Sequence, residues 1–195
     1  MKNKESLKYV WTDMSSDYKI SIRTNVLKAI IAEQERAVKF NFSDTLAQIA
    51  ENIYNEEEEN DDVKKSDFDD IMDYIFSVIK QSVMDEGNSL EIEAVLVIIS
   101  KIFGFIYDKL RNKLDSFANA FEIFFKTNNM NVRTRCAEAV SEIYCVVSKK
   151  DAKKFKDYPY FILETCLKCL ENPREEANVF LNTKFLAKNV SSSFF

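Results

Sequence analysis

Cys166 and Cys169 form a CxxC, the spacing of a zinc site or a dithiol redox pair. The chain offers no histidine, and its two further cysteines are Cys136 and Cys145. The CxxC also lies inside an apolar helical pattern. Reduced cysteines packed as small apolar side chains are therefore the preferred reading, with no metal and no cofactor. Without histidine, histidine-dependent nucleophilic catalysis and histidine metal ligation are both excluded. The two glycines stand 17 residues apart, so no glycine-rich phosphate loop exists. Carboxylates are plentiful, but they alternate with cations along helix faces that read as solvated. In the run Asn55 to Asp62, six of eight residues are carboxylates, without the alternating ligands or the glycine turn that calcium requires. That run reads as a solvated loop. No arrangement marks an enzyme, and no catalytic, cofactor-binding or metal-binding residue is assigned.

The elements that would position any site must be helices. Hydrophobic residues make up 46% of the 195 and charged residues 30%, while two glycines and two prolines are too few for the turns of a sheet. The fold class expected is all-α. The formal charge of −5 gives no basic footprint for phosphate backbones, so nucleic acid is not an expected partner, whereas basic proteins are. No apolar run reaches the roughly 20 residues that span a bilayer, and residues 1–5 lead into no signal-peptide apolar region. An intracellular location is expected.

Two stretches superimpose without a gap, residues 38–49 and 132–143, offset by 94. A cation follows a valine in each (Lys39, Arg133), with a small residue, an aliphatic and an isoleucine at fixed later positions. A middle copy begins at Leu90, acidic where the others are basic. The offset is about twice the period of a HEAT or armadillo hairpin. One α-α superhelix over residues 1–195 is predicted, with hairpins at about 15–54, 66–105, 107–148 and 152–188. An acidic loop spans 55–65 and residues 189–195 are an unassigned tail. Inward stripes are predicted at Ile20, Val26, Leu27, Ile30 and Ile31 in the first helix, and at Val38, Phe42, Leu46, Ile49 and Ile53 in the second. Phe68, Ile71, Met72, Ile75, Phe76, Ile79 and Val83 face inward in the third helix. Phe117, Phe121, Phe124 and Phe125 supply the bulk of the third hairpin, and Phe155, Tyr158, Phe161, Ile162, Cys166 and Leu170 that of the fourth. Pro173 is placed to open a last helix from Arg174 to about Lys188.

Several phrases resemble one family. Leu27 to Gln34 followed by Asp44-Thr45-Leu46-Ala47-Gln48-Ile49-Ala50, after a tryptophan lead-in, is similar to the early repeats of the importin-β (karyopherin-β) nuclear transport receptors. The branch that carries ribosomal proteins and histones is the most similar. Ser89 to Gly104 resembles that family's next B helix, which ends in a glycine before an aromatic. Residues 155–163 resemble its Phe-x-x-Leu-Leu-Pro-x-x-Leu helix start. The likeness covers about residues 9 to 181, and the chain resembles a truncated or degenerate member. The family's first repeats, which contact the GTPase Ran, would lie before Met1. The resemblance implies protein binding in nucleocytoplasmic transport, with B helices lining a concave cargo side and A helices a convex side. Its partners would be basic cargo, nucleoporin Phe-Gly repeats and Ran-GTP, and its location cytoplasm and nucleus.

Aligned B helices give an outward stripe as candidate protein-binding residues: Asn41, Asp44, Gln48 and Glu51 in the first, and Arg135, Glu138 and Glu142 in the third. The alternative function is a structural scaffold or adaptor outside transport. A nucleic-acid-binding repeat protein is a third reading, but it would want a basic stripe, and this one is mixed to acidic. The open apolar C-terminal end predicts self-association there, since terminal repeats normally carry a polar outer side.

Overall fold

Little in this sequence stops a helix, and helices are what the computed structural model contains. It describes residues 10–59, 66–84, 88–148 and 150–171. Within these are α1 (Ser16–Ala32), α2 (Arg36–Glu59), α3 (Ser66–Met84), α4 (Ser89–Leu110), α5 (Leu114–Lys126), α6 (Met130–Val146) and α7 (Tyr158–Leu170). Short 3-10 turns at Arg111–Lys113 and Asp151–Phe155 complete the set. No strand occurs among the described residues, and the fold class is all-α. The chain divides into two compact units, residues 1–76 and 77–195, with the division inside α3.

In the first unit α1 and α2 pack as a hairpin. Glu33 organises the connection: its carboxylate accepts the backbone N–H groups of Gln34 (2.8 Å) and Glu35 (2.7 Å), donors that helix ends otherwise leave unpaired. Ile30, Leu46, Ile49, Ala50 and Ile53 are buried, as are Phe68, Ile71, Tyr74 and Ile75 in the first half of α3. Arg23 is buried and donates to the Asp70 carboxylate at 2.9 Å, tying α1 to α3.

The expected inward stripes hold in part: Ile30, Leu46, Ile49 and Ile53 are buried as predicted, and the other positions are not. Ile20 and Ile31 are exposed, with Val26 and Leu27 half-buried; the deeply buried positions of α1 are Arg23 and Ile30. In α2, Val38 is exposed and Phe42 half-buried, whereas Lys39 and Ser43 are fully buried. The apolar-only template missed this phase because Lys39 and Ser43 occupy inward sites. The Ser43 hydroxyl donates to the Lys39 carbonyl at 3.0 Å, so its polarity is satisfied locally. The acidic run also differs from expectation. Residues 55–59 continue α2 as helix, and Glu56 accepts Lys19 Nζ at 2.6 Å. That cross-hairpin contact offsets part of the repulsion among the carboxylates. Residues 60–65 lie outside the described set.

In the second unit α4 lies along α6, and α6 also meets α5 and α7. Both long helices start on asparagine caps. The Asn88 side chain accepts Leu90 N–H (3.2 Å), and that of Asn129 accepts Asn131 and Val132 N–H (3.0 and 3.2 Å). Ile92 through Ile99 are buried without interruption, as expected of a helix enclosed on several sides. The expected end of α4 near Phe105 is not observed. Gly104 stays helical and the helix runs to Leu110. The cost of a mid-helix glycine, roughly 1 kcal/mol, is outweighed by burial of Ile102, Phe103, Ile106 and Leu110. α5 therefore begins only at Leu114.

Phe117, Phe121, Phe124 and Phe125 are buried as predicted. Phe103 meets Phe117 edge-on at 6.0 Å, and Phe125 stacks on Phe161 at 5.5 Å. In α7 and the turn before it, Phe155, Tyr158, Ile162 and Cys166 are buried and Phe161 is half-buried. The side chains of Val83 and Leu170 lie outside the described residues. Half-buried Tyr144 and buried Tyr158 keep their hydroxyls paired: Tyr144 donates to the Phe155 carbonyl and Tyr158 to the Ala118 carbonyl. Burial pushes the Tyr144 phenol up to about 12 and raises that of Tyr158 further.

Candidate protein-binding surface

The candidate stripe falls on two helices, one in each unit. On α2, residues 41, 44, 48 and 51 follow the 3-4-3 spacing of a single helix face. Asn41, Gln48 and Glu51 are exposed and Asp44 is half-buried. Across the helix Leu46, Ala47, Ala50 and Ile53 hold that face outward by their burial. On α6, residues 135, 138 and 142 repeat the pattern. Arg135 and Glu138 are half-buried and Glu142 is exposed, while Cys136, Ala137, Val140 and Ile143 are buried behind them. Arg135 donates to Glu138 at 2.7 Å, one helical turn away. That pair holds both side chains along the helix and leaves Glu142 as the outward carboxylate. The α2 face carries two carboxylates and two amides, so both faces are polar with an acidic bias.

Behind the α6 face sits a charged layer that sequence reasoning did not assign. Arg133, the repeat cation, is buried and reaches Glu164 on α7 at 3.5 Å, and Lys168 holds the same carboxylate at 2.9 Å. The Lys168 hydrogen bond, helped by Arg133, keeps the Glu164 carboxyl below the usual carboxylate range. At the other end of α6 the Asp151 carboxylate gathers Tyr107 (2.5 Å), Ser148 (3.0 Å) and Arg111 (3.1 Å). The Tyr107 hydroxyl is the largest cause of a lowered Asp151 carboxyl. This hub joins the end of α4 to the end of α6 and the following turn. Its spacing in sequence, about 40 residues between partners, is invisible to any local pattern. Both assemblies tie helices to one another.

The thiols show no comparable construction. Cys136 and Cys166 are buried and Cys145 is exposed, all three as thiols outside any disulfide, and the side chain of Cys169 lies outside the described residues. Burial pushes the Cys136 thiol well up, away from reactive thiolate, and its Sγ faces the Phe121 carbonyl at 3.7 Å. Among the described residues no cluster of three or more potential metal ligands gathers.

A cleft of about 290 Å³ opens in the second unit between the ends of α3 and α5 and the starts of α4 and α6. Ser82, Ile92, Ile123, Phe124, Lys126 and Val132 line it. The sequence held one clue to it: Ile123 lies off the buried stripe of α5 and is exposed.

A family model described as IPO5-like, TPR repeats matches residues 34–194, most of the chain. Searches among curated proteins and among solved structures found no match.

Proposed function

The chain belongs to the IPO5-like family of importin-β-type repeats, and from that premise we propose that it is a protein-binding module of nucleocytoplasmic transport. The observation that carries the reading is the outward polar face repeated on α2 and α6 at the same helical phase, with the core closed behind it. A face with an acidic bias and few apolar side chains suits basic cargo, recognised by charge and hydrogen bonding rather than by a catalytic pocket. Asn41, Asp44, Gln48, Glu51, Arg135, Glu138 and Glu142 are the residues proposed to meet it. Nucleoporin Phe-Gly segments are the partners proposed for the A-helix side, where the cleft beside Ile123 has room for an aromatic side chain. Ran-GTP is the third proposed partner. Shuttling between cytoplasm and nucleus follows from the same reading. No helix among the described residues is long and apolar enough to cross a membrane.

Binding of the full chain to Ran-GTP, to Phe-Gly peptides and to a lysine-rich cargo peptide tests the proposal. Charge reversal of Glu51 and Glu142 together is expected to weaken the cargo peptide at least about tenfold and to leave Phe-Gly binding unchanged. Failure to bind any of the three would favour the alternative, an adaptor that holds a protein complex together outside transport.

A further inference from the structure

Charge in one part of the second unit runs against the whole. The chain carries a formal −5, yet residues 107–115 and 149–157 together hold eight cations and four carboxylates. Side-chain contacts join the two segments. Arg111 Nε meets the Asp151 carboxylate at 3.1 Å, and Lys154 Nζ meets that of Asp115 at 2.7 Å. Two of the four carboxylates are thereby taken by cations of the patch itself. The 3-10 turn Asp151–Phe155 arranges the rest. The residues that flank it, Lys150 (φ −70°, ψ −47°) and Lys156 (φ −56°, ψ −30°), keep helical dihedrals. A 3-10 helix has three residues per turn, so side chains three apart eclipse, with successive ones about 6 Å apart. Residues 150–156 therefore fall on three ridges. Ala152 and Phe155 make the inner one, where Phe155 is buried against Tyr144 and Tyr158. Asp151 and Lys154 make the second, and both are engaged in the ion pairs above. Lys150, Lys153 and Lys156 make the third, and all three are exposed. Among the described residues no carboxylate pairs with any of the three.

We propose that this lysine ridge binds an extended acidic segment of a partner protein, one with carboxylates at alternate residues. In an extended chain alternate side chains share a face and recur about every 6.5 Å. That is close to the lysine spacing, so three successive carboxylates meet Lys150, Lys153 and Lys156 in register. The turn is held in place before anything binds. Asp151 accepts Tyr107 and Arg111 at one end, and the Phe155 carbonyl accepts Tyr144 at the other. A site fixed in advance costs less ordering when it is filled. The ridge is built of lysines, which are compact point charges, whereas nucleic-acid surfaces use arginine forks and interleaved aromatic faces. The charge class it takes is opposite to that proposed for the faces of α2 and α6.

Amide shifts of the full chain, titrated with a short Gly/Ser peptide bearing three glutamates at alternate positions, test this at low ionic strength, where screening is weak. The largest shifts are expected in residues 150–156; no binding, or shifts centred elsewhere, overturns the proposal. A peptide of the same composition with its glutamates four residues apart is expected to bind at least about threefold more weakly, since it loses the register of one pair or more. Equal binding of the two overturns it. Lys150→Gln, Lys153→Gln and Lys156→Gln together are expected to weaken the alternating peptide at least about tenfold. Lys28→Gln, Lys80→Gln and Lys101→Gln change net charge equally at exposed sites elsewhere and are expected to leave binding unchanged. A matching loss in that control would mean that overall charge alone is read, and overturns the ridge. All six sites are exposed, so helicity should persist; if the ridge variant loses it, Lys153→Gln alone is read instead, with about a threefold loss expected and none overturning the proposal. A uridine tetranucleotide carries the same three charges on phosphates. Tighter binding of it than of the peptide at residues 150–156 would give the ridge to nucleic acid and overturn the proposal.

Discussion

α2 and α6 are the same repeat position in two units, and they share a phase but not a degree of enclosure. Lys39 and Arg133, Ser43 and Ala137, Leu46 and Val140, and Ile49 and Ile143 are equivalent by the offset of 94, and all eight are buried. Gln48 and Glu142 are equivalent and both exposed. Yet Thr134 and Ala139 are buried where Phe40 is half-buried and Thr45 exposed. α6 is flanked by α4, α5 and α7, whereas α2 pairs with α1. Phase is therefore written into the repeat, and enclosure is set by neighbours. The repeated cation belongs to the inner face in both helices. Long basic side chains can do this because their stems bury well, and Arg133 brings its charge to Glu164.

The shared phase is tested most severely by a carboxylate at its centre. Val140→Asp and Leu46→Asp each place an unpaired charge at a fully buried site. Either costs several kcal/mol, against a total stability of about 5–15 kcal/mol. Each is expected to unfold its own unit, seen as lost helicity and a collapsed urea midpoint. If either variant kept the midpoint of the unaltered chain, the equivalence of the two helices would be broken.

The difference in enclosure is the next target. Ala139→Gln forces a larger polar side chain into a fully buried site, at a cost of about 2–3 kcal/mol. Thr45→Gln alters the equivalent exposed site, where the Thr45 hydroxyl donates back to the Asn41 carbonyl of its own helix at 2.9 Å. It is expected to stay within about 0.5 kcal/mol. Denaturant midpoints of the two variants decide the matter, and equal losses would show that α2 is enclosed as α6 is.

How much of this was legible in sequence depends on the range of the signal. Helical class, the alignment of residues 38–49 with 132–143 and the burial of Phe117, Phe121, Phe124 and Phe125 follow from local spacing. The phase of α1 and of the start of α2 did not, because apolar residues were assumed to be the inward ones; Ile30, Leu46, Ile49 and Ile53 are buried as expected. Arg23 and Lys39 are buried, while Ile20, Ile31 and Val38 are not. Burial of a cation depends on a partner in another helix, such as Asp70, 47 residues away from Arg23. The end of α4 was misplaced because Gly104 was read as a stop, though it stays helical between the buried Phe103 and Ile106. The outward stripe was legible because polarity at i, i+3, i+7 needs no partner to be read, and its partners remain a proposal.

Acid should separate the two units. In the second unit the carboxyls of Asp151 and Glu164 are held below the usual range, by Tyr107 and by Lys168 first of all. A lowered folded-state value adds stability above the ordinary carboxylate value, about 4, and that stability is lost as the pH falls through it toward the folded value. The local opening equilibrium read by amide exchange in α4 and α6 should therefore grow more favourable as the pH falls below the ordinary carboxylate value, about 4. Asp151→Asn should lower the thermal midpoint by a few degrees at pH 7 and by steadily less as the pH falls below the ordinary carboxylate value. A constant difference across that range would show that the hub acts through shape rather than charge.

The smallest expected effect is the most informative about function. Glu138→Lys breaks the ion pair with Arg135, an i, i+3 contact worth about 0.2–0.5 kcal/mol, and sets two cations side by side. Glu138 is only half-buried, so the new ammonium can reach water along the helix surface. Stability is expected to fall by no more than about 0.5–1 kcal/mol. Affinity for a basic peptide is expected to drop several-fold, with a weaker salt dependence, because one attractive charge has become a repulsive one. The variant at the equivalent site of α2, Asp44→Lys, sharpens the comparison. Matching losses of binding at matched stability would mean that both helices present one kind of surface to one kind of partner. A loss from Glu138→Lys alone would confine the partner to the second unit, and unchanged binding in both would leave the stripe a solvated face.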